Sequence, residues 1–172
     1  MAPITTNLAS VADHYRVRLE AIRDLLKERI SAGQVELYHR PISQGPTPKP
    51  TAFPAIFVQP VNWSEDLNTT AKYDFWGEVM VYVYVGGNDP AAAGQDLQRV
   101  LAILGKLFSD NALNDRVTAA PTFKYFVYPG FWIESRFGPV IFSPALPFGR
   151  EQSNRYLMAA RATFRFHEVL IH

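Results

Sequence analysis

Four histidines, His14, His39, His167 and His172, are the imidazoles on which metal or proton chemistry could rest, and the chain has no cysteine to join them. None stands in an H-E-x-x-H or comparable ligand spacing, so no metal site is expected, and His167 reads as a residue on the polar face of a strand. No G-x-S-x-G surrounds Ser31, Ser43, Ser64, Ser109, Ser135, Ser143 or Ser153. That removes the commonest serine-hydrolase signal and leaves open only a triad assembled by folding. Gly86-Gly87-Asn88 ahead of a helix invites comparison with phosphate loops, but it lacks their lysine and their glycine spacing, and turn chemistry explains it. Glu65, Asp66 and Asp74 could be drawn as an acid/base set, although charged residues in such a stretch are ordinarily just solvated. No catalytic, metal-ligating or cofactor-binding residue is assigned, and the chain is not expected to be an enzyme.

Composition points the same way. Lysine plus arginine total 17 and aspartate plus glutamate 16, a formal net charge of +1 that argues against gripping a polyanion through bulk electrostatics. With 172 residues, 48% of them hydrophobic, the chain can bury a proper core, and residues 1–172 are expected to form a single domain with extended loops at 39–54 and 129–153. The absence of cysteine fits assembly in a reducing cytoplasm. Neither an export signal nor a run approaching the ~20 apolar residues of a membrane span is visible, so no membrane partner is expected.

The stretch that must organise the fold is Lys72 to Val85, followed by Gly86-Gly87-Asn88-Asp89-Pro90. Strand side chains alternate with period two, which places Phe75, Gly77, Val79, Val81, Val83 and Val85 on one face and Trp76, Glu78, Met80, Tyr82 and Tyr84 on the other. The first set is a core. At about 3.3 Å per residue the strand reaches roughly 45 Å, whereas a compact domain of this length is only roughly 40 Å across. The strand is expected to project past its own core.

Upstream, Ser10 and Asp13 resemble a helix cap, Tyr15, Leu19, Ile22, Leu26 and Ile30 follow at helical spacing, and Gly33 offers a stop. Val35 and Leu37 suggest a short strand. His39 to Pro54, with five prolines, reads as an extended arm, either a surface loop or a segment ordered against a neighbour. Ala55 to Val61 is a short apolar strand whose Pro60 marks an edge or bulge, and Asn62 to Ala71 reads as a polar connection. Downstream, Asn88 or Asp89 can cap a helix with Pro90 at its first position, and its stripe Leu97, Val100, Leu101, Leu104, Leu107 and Phe108 should cover the aliphatic face of the long strand, with Asn111 closing it.

Phe123 to Tyr128 suggests another strand. Between Pro129 and Gln152 the aromatics Phe131, Trp132, Phe137, Phe142 and Phe148 alternate with prolines and glycines, which reads as an aromatic loop that either folds onto its own sheet or docks on another subunit. Arg155 to Val169 is a second long strand, with Tyr156, Met158, Ala160, Ala162, Phe164 and Phe166 on one face and Ala159, Arg161, Thr163, Arg165 and His167 on the other. Arg161 and Arg165 could reach Glu78 across the sheet or a neighbour's carboxylate. The expected class is α+β: one mixed, mostly antiparallel sheet with long strands, packed on one face by an N-terminal and a central helix.

This order of elements, with P-A-I-F-V-Q-P-V, then V-M-V-Y-V-Y-V before a capped helix, and a terminal A-A-R-A-T-F-R-F, resembles the tail terminator and tail-completion proteins of tailed bacteriophages, whose fold is related to that of tail-tube proteins. The likeness covers Val11 to Phe108 and Arg155 to Leu170. It implies a structural virion protein of the tail or neck, assembled in the host cytoplasm: a sixfold ring that caps the tail tube, contacts tube, neck or connector protein and in some tails a sheath, and lets DNA pass without gripping it. It carries over no catalytic residue. The neighbours' long strands would then form one continuous sheet around a lumen. The residues expected at subunit or partner contacts are Trp76, Glu78, Tyr82, Tyr84, Phe131, Trp132, Phe137, Phe142, Arg161 and Arg165. A head-tail connector, stopper or tail-tube subunit is the nearest alternative; a small-ligand binding domain or enzyme, with Trp76, Tyr82 and Tyr84 lining a pocket, is the alternative of another kind.

Overall fold

Residues 8–38, 50–69, 72–109, 130–147 and 156–171 are described by the computed structural model. Among these described residues two helices, α1 (Leu8–Arg29) and α2 (Pro90–Ser109), accompany five strands, β1 (Gln34–Leu37), β2 (Ala55–Thr69), β3 (Lys72–Gly87), β4 (Gly130–Pro147) and β5 (Tyr156–Ile171). The strands form one sheet in the order β1-β2-β3-β5-β4. The β1–β2 ladder is parallel and the other three ladders among the described residues are antiparallel, so the sheet is mixed and mostly antiparallel, as expected.

Both helices lie on the same face. Leu19, Ile22, Leu25 and Leu26 of α1 and Leu97, Leu104 and Phe108 of α2 share one buried cluster with Val35, Ile56, Val58, Val79, Val81, Val83, Phe164 and Phe166. The aliphatic side of β3 is thus the floor of the core, and Phe164 stacks on Phe108 with ring centroids 4.1 Å apart. Asp89 caps α2 as its sequence suggests: its carboxylate accepts hydrogen bonds from the Ala91 and Ala92 amides at 3.0 and 3.4 Å, and Pro90 opens the helix. α1 begins at Leu8, so Ser10 lies inside the helix and is not its cap. Gly33 is required for close approach rather than for a left-handed turn. A β-carbon there would meet the Phe53 carbonyl oxygen at 2.8 Å, while the Gly33 amide donates to the Pro54 carbonyl.

The strand that was expected to be short, β2, runs on through the polar segment to Thr69 and pairs with β3 almost to the turn. Propensity alone would not favour Asn62 to Asp66 as a strand, but β3 supplies a complete ladder for their amides and carbonyls, and pairing decides. The register shift between Pro60 and Asn62 leaves Val61 bulged, which is how Pro60 is tolerated and how Trp63 returns to the helix side to stack on Phe75 at 6.0 Å.

A larger correction concerns residues 130–147. They form an edge strand paired along β5, not an aromatic loop. The breakers fall at its register shifts, between Phe137 and Val140 and between Ser143 and Leu146, and Gly138 adopts φ 114°, a conformation that side-chain-bearing residues rarely take. An edge strand needs donors on one side only, so prolines there cost few bonds. The arm at 39–54 is partly corrected too: Phe53 packs over Gly86 and into a second small cluster with Ala55, Phe57 and Tyr84, so its last residues cover their own sheet. Residues 39–49, the strand expected at Phe123 to Tyr128, Asn111 and residues 148–153 lie outside the described residues. Among the described residues no helix is long and apolar enough to cross a membrane.

Candidate interaction face

The face of the sheet opposite the helices carries the side chains whose types could do something other than pack. Its central ladder is set by the β3–β5 register, which brings Trp76 opposite His167, Glu78 opposite Arg165, Met80 opposite Thr163, and Tyr82 opposite Arg161. These pairs interact as cross-strand neighbours do. The Trp76 indole and His167 imidazole stack at 3.7 Å with planes 8° apart, and His167 Nε2 lies 3.0 Å from Asp74 Oδ1. An ionised carboxylate only accepts, so Nε2 carries the hydrogen and donates it to Asp74. Arg165 Nε donates to Glu78 Oε2 at 2.7 Å, the pairing that the sequence offered as one of two options. Thr163 Oγ1 donates to Met80 Sδ at 3.8 Å.

Towards the other end, Tyr84 meets the Phe57 ring edge-on at 5.7 Å and is buried. Burial raises the Tyr84 pKa above the ordinary phenol value, with the charge of Tyr82 adding in the same direction. Gln59 is also buried on this face, and its Oε1 has no hydrogen-bond partner among the described residues.

Six of the residues singled out from sequence, Trp76, Glu78, Tyr82, Tyr84, Arg161 and Arg165, therefore share one face. The rest divide. Phe137 is on the helix side, stacked on Phe108 at 5.5 Å, and is taken up inside the chain. Phe142 sits on the edge strand and is 56% exposed. Phe131 and Trp132 belong to β4, their backbones opposite Val169 and Glu168, and their side chains lie outside the described residues. Arg136, Asp66, Asp74 and His167 were not singled out as contact residues. The period-two pattern was available for His167 and for Asp74, which falls on the same face of the long strand as Trp76 and Glu78, but Asp66 sits in a stretch read as a polar connection, and Arg136 in one read as a loop.

The arrangement is poor in chemistry. Ser64 pairs with Trp76, so two strand spacings, about 10 Å, and an indole separate it from His167, and the Asp74–His167 pair has no nucleophile beside it there. Among the described residues no group of three or more His, Asp or Glu side chains is placed to hold a metal ion. What the face offers is contact: exposed Trp76 and Ile141, and exposed Arg136, Arg161 and Arg165, on a sheet face that no helix covers among the described residues. No protein-family model matches the chain, and no curated protein matches it.

Proposed function

We propose that the chain is a structural subunit that completes its sheet with further copies of itself, closing into a ring of the kind that ends a bacteriophage tail tube and joins it to the neck. The observation that carries this is a five-stranded sheet with long strands, covered among the described residues by helices on one face and bearing paired charges and exposed aromatics on the other. A monomer has little use for such a face, whereas in a ring it lines a lumen or meets a partner. The near-zero formal charge of +1 suits a conduit, since many phosphate contacts would hold DNA instead of passing it. The resemblance in element order supplies the specific role and the sixfold symmetry. Tube, neck or connector protein, and a sheath where the tail has one, are the partners it implies, in a virion assembled in the host cytoplasm, with no cofactor and no catalysis.

Electron microscopy of the purified protein tests this. Closed rings with a central hole support a terminator, long stacks would reassign the chain to a tube subunit, and isolated small particles would contradict ring formation by the chain alone.

A further inference from the structure

The sheet has two open edges of unlike character. β1 pairs only with Ala55 to Val58, so β2 from Gln59 to Thr69 has no neighbour on its outer side among the described residues, and β4 has none on its outer side. Each edge carries an exposed charge on the helix-free face, placed against a like charge in its own sheet. Asp66 of β2 stands opposite Asp74, and Arg136 of β4 stands opposite Arg165. Among the described residues neither Asp66 nor Arg136 has an ion pair, and like charges directly opposite one another destabilise a sheet.

Resting on the self-assembly reading above, we infer that the β4 edge of one copy pairs antiparallel with the open β2 edge of the next, with Arg136 beside the neighbour's Asp66. The strand directions allow it. β2 and β5 run one way and β3 and β4 the other, so a second copy added in the same orientation sets its β2 antiparallel to β4 and continues the sheet. The offset is fixed by β1. Arg136 lies level with Glu78, and Asp66 level with Asp74, so joining them slides the copies by four residues. That even number keeps each face continuous. It also sets Ser143 level with the neighbour's Gln59, the last β2 position before β1 begins, and β4 is already irregular beyond Ser143. Without the slide, the end of β4 would run into β1.

Arg165 is already paired with Glu78 and Asp74 with His167, so it is the edge charges that the contact supplies with opposite partners, both at once, and exposed Ile141 comes level with Asn62 beside the exposed, bulged Val61. A twofold arrangement pairing β4 with β4 would put Arg136 of both copies, each beside its own Arg165, on one seam from which Asp66 is absent, and charge selects against it. The pairing is head-to-tail, which closes into rings or continues as an open spiral.

Sedimentation velocity on wild type, Arg136→Asp, Asp66→Arg and the double reversal tests the inference, with circular dichroism as the control for folding. Each single reversal is expected to weaken association roughly tenfold or more and the double to recover most of it. Because the chain lacks cysteine, Arg136→Cys with Asp66→Cys gives a second reading: oxidation should yield a ladder of linked subunits. Wild type that assembles, with reversals that have no effect and cysteines that do not link, overturns this edge pairing and leaves self-assembly standing. Wild type that stays a monomer overturns both.

Discussion

The two faces of this sheet are built on different principles from the same strands. On the helix side β3 contributes Phe75, Val79, Val81 and Val83, all fully buried, and stability there comes from area removed from water and close packing. On the other side the same strand contributes Asp74, Trp76 and Glu78, which leave surface accessible and meet β5 through a hydrogen bond to His167, a stack on the same ring and an ion pair with Arg165. The first face makes the fold. The second, costing little to rearrange, is where contacts with other molecules can be made, and the comparison predicts that damage to the two faces will separate folding from assembly.

The largest expected effect lies on the helix side. Phe164→Ala removes a fully buried ring stacked between Phe108 and Phe166, and should cost about 3 to 5 kcal/mol in urea unfolding. A smaller loss would mean that the core collapses into the gap and that this face is less tightly packed than its burial implies. Gly77→Ala comes next, at about 1 to 3 kcal/mol, because the added methyl would run into the Phe166 ring, itself buried against Phe75 and Phe164. Asp89→Ala should take about 1 kcal/mol from the helix that roofs the core, visible as a lower melting temperature with unchanged spectra.

On the opposite face the effects shrink. A double-mutant cycle on Glu78 and Arg165 should give a coupling of about 0 to 1 kcal/mol that fades with salt, since the arginine side chain is 55% exposed. A larger, salt-insensitive coupling would show that this face is structural after all. The smallest effect is alkaline. Tyr84 is held protonated by burial, so its folded pKa lies above the unfolded value near 10. The unfolded chain then loses the proton first, and stability falls as pH rises from the unfolded towards the folded pKa. Melting curves at pH 8 and pH 10.5 should converge for Tyr84→Phe relative to wild type.

The strengths and misses of sequence reasoning follow the same division. Where a periodic apolar pattern met a single decisive cue, as at Asp89-Pro90 or in the valines of β3, element and burial were both legible. β4 was not, because prolines and glycines argue against a strand unless one knows that it lies at an edge, and edge position is a property of the whole sheet. β2 beyond Val61 was missed for a related reason: Asn62, Ser64 and Asp66 extend only because β3 is long enough to pair with them. The contact face was visible as six residues in two strands, while its charged edges at Asp66 and Arg136 needed the strand order before they could be seen as a pair.

Whether the chain completes its sheet with its own copies is measured most directly by its solution mass, from multi-angle light scattering across the micromolar range. A mass several times that of the 19.4 kDa chain, falling on dilution or in high salt, is the predicted result. A constant 19.4 kDa at every concentration would contradict it.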